Sequence, residues 1–235
     1  MFIDTTYRRN DIEIMDDLDM SGELLTGALD KLSMINKWLG GNQLTLNGVK
    51  KLLQKEDNSK EFTIVDLGCG GGDILRVLAD YAKANSLKFN LLGIDANAAT
   101  LEYAKNLSND YSNIQYLQCD IDSEEFANLE YDIGLSTLFL HHFECDKVNE
   151  LIKQWTDQAR LGVVINDLHR HSVAYYLFSF ITLFFGNKMV RNDGLLSILK
   201  GFKKKDLEQH ASKLPYISSI EWKWAFRYEW IIRKG

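Results

Sequence analysis

The 235-residue sequence has only three cysteines, one proline and no excess of basic residues. The cysteines are too few and too scattered for a disulfide framework or a zinc site, which favours a reduced, cytoplasmic protein. A net charge of −6 argues against a nucleic-acid partner, because such proteins carry a basic face and only Lys203–Lys205 form a basic cluster here. The first residues do not resemble a secretion signal.

Long hydrophobic runs are also missing. The longest apolar and aromatic segment, residues 172–185, falls short of the roughly 20 residues that a membrane-spanning helix needs. It is compatible with a core helix, with the wall of an apolar pocket, or with an interfacial contact with lipid. We therefore expect no stable membrane insertion and leave a peripheral contact open.

A glycine-rich turn stands between an apolar segment and a helical one. Residues 62–65 predict a buried strand; Asp66 follows it, and glycines occupy positions 68, 70, 71 and 72. Such a turn lets the backbone approach a ligand without Cβ atoms in the way. Asp66 disfavours a phosphate ligand and suits one with a positive end. The dinucleotide fingerprint G-x-G-x-x-G fails, because Asp73 stands where its third glycine would be.

The pattern Asp66-x-Gly68-x-Gly70-x-Gly72 resembles motif I of the class I S-adenosylmethionine (SAM)-dependent methyltransferases. A generic glycine turn in another α/β protein is the alternative. The resemblance implies that SAM is the cofactor. It also implies that this turn, with Cys69, passes under the methionyl part of SAM.

Two further acids stand at the ends of predicted strands. Asp95 ends a strand predicted at 89–94, and Asp120 follows one at 114–119. A carboxylate at the tip of the second strand can accept two hydrogen bonds from a ribose diol. The resemblance implies that Asp120 accepts from the adenine amino group. It also implies that the cofactor site includes Ala96, Ile121 and Ser136.

The predicted fold is α/β, with a Rossmann-like, seven-stranded, mostly parallel sheet that has one antiparallel strand. The remaining strands are expected at 131–136, 161–166, 217–224 and 226–232; the strand order is what the resemblance implies. We expect one domain with an N-terminal helical cap (1–58), a SAM-binding half (60–167), a helical lid after the fifth strand (168–215) and a C-terminal strand pair (216–235). Arg191 and Asp193 are expected in the turn before a helix at 194–199.

Three histidines are candidate catalytic bases. His141 and His142 follow the fourth predicted strand and His169 follows the fifth, at the edge where open α/β sheets bind ligands. A histidine can remove the proton of a hydroxyl nucleophile. A structural hydrogen bond is the alternative for each, and we favour His141 or His142 over His169. His210 is expected on a helix surface, and no pattern indicates a metal site.

The resemblance also restricts the methyl acceptor. Residues 136–139 lack the [N/D]-P-P-[Y/F] turn of methyltransferases that act on base amines or glutamine. Residues 35–41, 166–171 and 191–194 resemble a bacterial subgroup of small-molecule methyltransferases linked to aromatic polyketide or phenolic-lipid pathways, a secondary-metabolism role.

This finer resemblance implies a small aromatic or lipid-like acceptor, methylated on a phenolic hydroxyl, with the apolar segment lining its tail. The alternatives are C-methylation of a quinone or polyketide ring, and a non-catalytic SAM-binding scaffold. Protein or RNA methylation is disfavoured by the acidic balance of the chain. A monomer and a homodimer both remain open.

Overall fold

The predicted strands form one seven-stranded sheet in the computed structural model, which describes residues 3–185 and 188–235. The strands are β1 (Glu61–Leu67), β2 (Lys88–Asp95), β3 (Ile114–Gln118), β4 (Tyr131–Thr137), β5 (Ala159–Leu168), β6 (Ile217–Lys223) and β7 (Arg227–Arg233). Their order is β3-β2-β1-β4-β5-β7-β6, and β7 runs antiparallel to both of its neighbours. The predicted Rossmann-like α/β fold is confirmed.

Helices flank the sheet and precede it. They are α1 (Gly22–Trp38), α2 (Gly41–Leu53), α3 (Asp73–Ala84), α4 (Ala98–Leu107), α5 (Glu124–Ala127), α6 (Cys145–Gln158), α7 (Ser172–Phe185), α8 (Lys188–Lys200) and α9 (Lys204–Ala211). Short 3-10 turns lie at Ile14–Asp16 and Leu140–His142. Within the described residues, no helix is both long and apolar enough to cross a membrane.

The core has one layer on each face of the sheet. Successive side chains of a strand point to opposite faces, so Ile64 packs in the layer that contains α2 and α3, whereas Val65 packs in the layer that contains Trp155 of α6. A parallel sheet covered on both faces is built from near-continuous apolar strands, as β1 is. This packing holds the carboxyl ends of β1, β2 and β4 side by side.

The expected turn before residue 194 is wrong, because Arg191 and Asp193 lie inside α8. Gly194 does not begin the helix. A Cβ atom at Gly194 would lie 2.3 Å from Cζ of Phe178, so the glycine allows α7 to pack closely on α8. Asp193 accepts hydrogen bonds from the backbone N–H groups of Ile14 and Met15, which fixes the N-terminal segment over α8.

Candidate active site

A cavity of about 650 Å³ lies at the carboxyl ends of the parallel strands, where open α/β sheets bind ligands. This volume is typical of small-molecule pockets. One part of its wall is the glycine turn, the end of β2 and the segment that follows β4. Much of the remaining wall is apolar and comes from α1 with the residue that follows it, and from α7 and α8, including Leu25, Leu29, Leu32, Ile35, Leu39, Ala174, Leu177, Phe178, Ile181 and Ile198.

The glycine turn depends on glycine at particular positions. Gly68 and Gly72 have φ angles of +67° and +71°, which residues with a Cβ atom rarely adopt. A Cβ atom at Gly68 would lie 2.3 Å from Cδ2 of Phe139, and one at Gly72 would lie 2.1 Å from the hydroxyl of Tyr116. Gly68 and Gly70 line the cavity. The turn therefore presents bare backbone to a ligand.

Asp66 lies behind the turn, with a side chain that is 2% exposed and is not part of the cavity lining. Its Oδ1 atom has no hydrogen-bond partner among the described residues. Burial, together with the nearby carboxylates of Asp73 and Asp95, raises the pKa of Asp66 well above its ordinary value. Three acids around one turn favour a positively charged group there.

Asp95 faces the cavity at the end of β2. Its Oδ2 accepts a hydrogen bond from the backbone N–H of Gly70 (3.1 Å), and its Oδ1 accepts one from that of Asn97 (3.0 Å). Burial raises the pKa of Asp95 although these bonds act in the opposite direction. A carboxylate has about four acceptor positions, so Asp95 keeps capacity for a ligand in the cavity.

The other predicted cofactor residues divide into two groups. Ala96, Asp120 and Ile121 line the cavity, and Asp120 is exposed with one oxygen accepting from the N–H of Asp122. Cys69, Gly72 and Ser136 are not among its lining residues. The structure thus brings most of the predicted cofactor residues to one cavity and leaves the rest outside its lining.

His141 is buried in the 3-10 turn that follows β4, with only 2% of its surface exposed. Its Nδ1 lies 2.7 Å from Oδ1 of Asp167, and its backbone N–H donates to Oδ2 of the same carboxylate. Burial alone would raise the pKa of Asp167, but the contacts with His141 hold it below the ordinary value. An ionised Asp167 accepts from Nδ1–H, so Nε2 is the basic nitrogen.

That Nε2 atom has no hydrogen-bond partner in the part of the chain that the structure describes, and His141 lines the cavity. A buried imidazole nitrogen without a partner costs free energy unless a ligand engages it. The geometry places a lone pair where an acceptor hydroxyl could donate its proton.

His142 belongs to a charged cluster formed with the N-terminal segment and α8. Its Nδ1 lies 2.7 Å from Oδ1 of Asp16, and Nζ of Lys200 lies 3.0 Å from Oε1 of Glu13. Burial lowers the pKa of His142, but the carboxylates of Asp16 and Glu13 raise it above the ordinary value overall. These carboxylates therefore favour the cationic form of His142.

Glu13, His141 and His142 each offer a ligand atom within 4.8 Å of the other two, a spacing that a metal ion could use. Lys200, only 3% exposed, already brings an ammonium group to this cluster, 3.0 Å from Glu13 and 3.5 Å from Asp16. The carboxylates therefore have a cation of the protein's own as their partner.

His169 lies outside the cavity lining. Its Nδ1 accepts a hydrogen bond from the indole N–H of Trp222 (3.2 Å), and its ring packs against Tyr228. Burial, with a smaller contribution from the neighbouring His171, lowers the pKa of His169 to about 4. Of the three candidate histidines, His141 and His142 are brought to the cavity and His169 is not.

Sequence reasoning missed Glu13, Asp16, Asp167 and Lys200. Only Asp167 had a local signal, since it follows directly on a predicted strand whose end meets the same edge of the sheet as β4. The other three are distant in sequence from the histidines, and nothing in their own neighbourhood indicates the contact.

Parts of this chain are similar in sequence to methyltransferases. A family model described as a methyltransferase domain matches residues 64–162. A "Putative methyltransferase 235L" from Invertebrate iridescent virus 6 is 30% identical over 87 residues. That match covers 37% of this chain and only 30% of the viral protein, so most of the viral protein has no counterpart in the matched segment.

Solved structures with a similar fold are also methyltransferases. The plantazolicin methyltransferase BpumL in complex with SAH (S-adenosylhomocysteine) has a TM-score of 0.62 and 16% identity, covering 87% of this chain and 89% of that one. The CurJ carbon methyltransferase has a TM-score of 0.59 and 15% identity, covering 82% of this chain and 54% of that one. At such identities the likeness concerns the fold alone.

Proposed function

We propose that this chain is a class I SAM-dependent methyltransferase that methylates a phenolic hydroxyl on a small, apolar aromatic acceptor; the family model of a methyltransferase domain over residues 64–162 supports the enzyme class. One observation carries the proposal. A single cavity joins the glycine turn and the acids at the strand ends to the free Nε2 of His141 and to a large apolar wall.

The residues at the strand ends fit the cofactor. We assign Asp95 to the ribose diol and Asp120 with Ile121 to the adenine, while the backbone of Gly68 and Gly70 lies along the methionyl part. A cationic sulfonium beside the turn would favour the ionised forms of Asp66 and its neighbouring acids, which burial and mutual repulsion otherwise disfavour. When bound, SAM supplies a methyl group that is already activated for displacement.

His141 is the proposed general base. Asp167 fixes the ring and directs the proton to Nδ1, which leaves the Nε2 lone pair facing the cavity. A phenolic hydroxyl that donates to Nε2 would pass its proton to His141, and its oxygen would take the methyl group that SAM supplies as the sulfur–methyl bond breaks and SAH leaves. Asp167 stabilises the imidazolium that forms, because an anion 2.7 Å from Nδ1 favours the charged ring. A positioned base of this kind contributes about 10²–10⁴-fold to a rate.

The apolar wall accounts for the acceptor class. Each methylene of an acceptor that moves from water onto this wall contributes about 0.8 kcal/mol. We therefore expect phenols with alkyl or polyene tails to be preferred over short ones. Residues 168–215, which include α7 and α8, form the proposed lid over this part of the cavity.

C-methylation of a quinone or polyketide ring is the second candidate. It is favoured by the same base, because a nitrogen that removes a hydroxyl proton can also remove a ring proton after attack through carbon. Mass spectrometry with NMR of the product distinguishes an O-methyl from a C-methyl group.

The test combines binding and turnover. We expect SAH to bind the wild-type protein in calorimetry and to bind Asp95→Ala at least about tenfold more weakly, the loss of roughly one well-placed hydrogen bond to a charged group. Isotopically labelled SAM is then offered with phenols of graded tail length. Failure of SAH to bind overturns the whole assignment. SAH binding without turnover of any phenol overturns the acceptor and favours a SAM-binding scaffold.

A further inference from the structure

Two arginines of this protein are almost completely buried, and they differ in one respect. Arg170 is 2% exposed and has partners for its guanidinium: the carbonyl oxygens of Thr5, Thr6 and Gly201 and the carboxylate of Asp206. Arg227 is also 2% exposed, but its Nε and Nη1 atoms have no hydrogen-bond partner among residues 3–185 and 188–235.

Arg227 is also part of the cavity wall. It begins β7 and pairs in register with Leu168 of β5, one residue after Asp167. Burial lowers the pKa of Arg227 to about 10, with Asp167 and Asp73 acting in the opposite direction from a distance. A buried guanidinium without a direct partner is costly, and an anionic ligand in the cavity would supply the missing acceptors.

The protein makes room for this side chain. A Cβ atom at Gly41 would lie 2.8 Å from Nη1 of Arg227 and 1.9 Å from Oδ1 of Asn36, so the glycine at the start of α2 lets both side chains approach the backbone. Asn166 donates to the carbonyl oxygen of Gly41 (3.0 Å), which ties this point to β5.

Asn36 completes the arrangement. It lines the cavity and is 7% exposed; its Nδ2 donates to Asn42 (2.5 Å), while its Oδ1 has no partner within the described part of the chain. Asp73 accepts a hydrogen bond from Asn42 (2.7 Å). The unpartnered N–H groups of Arg227 thus lie near the unpartnered Oδ1 of Asn36, and Asn42 links Asn36 to the carboxylate of Asp73.

We propose that Arg227 binds a ligand carboxylate in the cavity, with Oδ1 of Asn36 accepting from an adjacent ammonium group. An α-amino acid end carries both groups. The carboxylate can come from the methionyl end of SAM, and in that case the proposal rests on the proposed function. A carboxylate on the methyl acceptor is the other source of the same chemistry.

The position of Arg227 favours SAM as the source of the carboxylate. Nη1 of Arg227 lies beside Gly41, and the next residue, Asn42, donates to Asp73, which directly follows Gly72 of the glycine turn. A fork of two N–H groups matches a carboxylate in a bidentate manner, which an ammonium group cannot reproduce.

Calorimetry with two nucleosides tests the proposal without turnover. SAH carries the amino acid end, and 5′-methylthioadenosine lacks it. We expect Arg227→Met to weaken SAH binding by about 10–100-fold, as for the loss of a hydrogen-bonded charge partner, and to leave 5′-methylthioadenosine within about twofold. Arg233→Met is the matched control, because Arg233 lies at the far end of the same strand and its guanidinium donates to the carbonyl oxygen of Lys51, away from the cavity lining.

A carboxylate on the methyl acceptor would give a different result. If Arg227→Met leaves SAH binding unchanged but raises KM for carboxylated phenols and not for neutral ones, the carboxylate belongs to the acceptor. The proposal is overturned if the variant changes SAH and 5′-methylthioadenosine binding equally, or changes neither and does not discriminate between acceptors.

A folding defect does not obscure the result, since 5′-methylthioadenosine binding reports an intact adenosine site in the same sample. Arg227→Lys provides a second variant that keeps the charge, and we expect it to lose part of the SAH preference. Wild-type protein that binds no SAH would contradict the proposed function. If the wild-type protein binds SAH and both variants keep its preference for SAH over 5′-methylthioadenosine, only the carboxylate site is contradicted.

Discussion

Replacing Asp167 with asparagine tests the proposed base directly. The carboxylate makes three contacts: Oδ1 faces Nδ1 of His141 and the N–H of Leu168, each at 2.7 Å, and Oδ2 accepts from the N–H of His141 at 3.0 Å. An amide cannot satisfy all three. With its NH₂ group toward Nδ1, it donates to that nitrogen and forces the ring proton onto Nε2. With its oxygen toward Nδ1, it places the NH₂ group against a backbone donor.

The first orientation removes the base, because a protonated Nε2 can only donate. We expect kcat of Asp167→Asn to fall by about 10²–10⁴-fold, which corresponds to about 2.7–5.4 kcal/mol of lost transition-state stabilisation. In both orientations one buried donor loses its acceptor, so we also expect the free energy of unfolding to fall by about 1–3 kcal/mol.

The assay is single-turnover methyl transfer with SAH affinity measured in parallel, since Asp167 does not line the cofactor end of the cavity. His141→Ala should match Asp167→Asn in kcat, whereas His169→Ala should turn over like the wild type because His169 lies outside the cavity. Rates within about threefold of wild type in both Asp167→Asn and His141→Ala, well short of a base's contribution, would refute the base and leave alignment of the reactants as the mechanism.

Two further predictions concern the turn and the charged cluster. An alanine at Gly68 would need a positive φ, and its Cβ would lie 2.3 Å from the side chain of Phe139, so we expect Gly68→Ala to lower the free energy of unfolding by at least about 2 kcal/mol. Gly71→Ala is the control, since a Cβ atom there meets open space and the variant should melt near the wild-type temperature. Equal melting temperatures of the two variants would contradict this prediction. The pair of His142 with Asp16 stabilises the fold below the ordinary histidine pKa of 6.5 and ceases to do so as the pH rises through the raised pKa. Asp16→Asn should therefore lower the NMR titration midpoint of His142 and destabilise the protein more at about pH 6 than at about pH 9; an unmoved midpoint would sink this assignment.

The sheet was predictable because its signals are local. In β1 and β4 the strand is a short, mostly apolar run whose side chains are buried on both faces. The glycine turn was predictable for the same reason, since the positive φ angles at Gly68, Gly70 and Gly72 require the residue type that the sequence shows.

The interior of the site was less predictable because its contacts are distant in the chain. Glu13 and Lys200 are 187 positions apart in sequence and 3.0 Å apart in space, and neither has a neighbouring motif. His210, expected on a helix surface, is 6% exposed and lies 2.6 Å from the side-chain oxygen of Asn149, a partner 61 residues away. Periodicity places a residue on a helix, but it does not show which element will cover that face.

Position along the chain could not separate His141 from His142, whereas their partners separate them physically. Asp16 and Glu13 approach His142 at 2.7 and 3.9 Å and raise its pKa, which favours the cationic form that cannot accept a further proton. Oδ1 of Asp167 lies 2.7 Å from Nδ1 of His141, whereas Nε2 lies 3.9 Å from Oε1 of Glu13 and has no hydrogen-bond partner among the residues described. Adjacent titratable groups with different environments take different roles. We therefore assign proton removal to His141. We assign to His142 and Lys200 a structural role, in which their positive charges hold the carboxylates of Glu13 and Asp16 at the cavity wall.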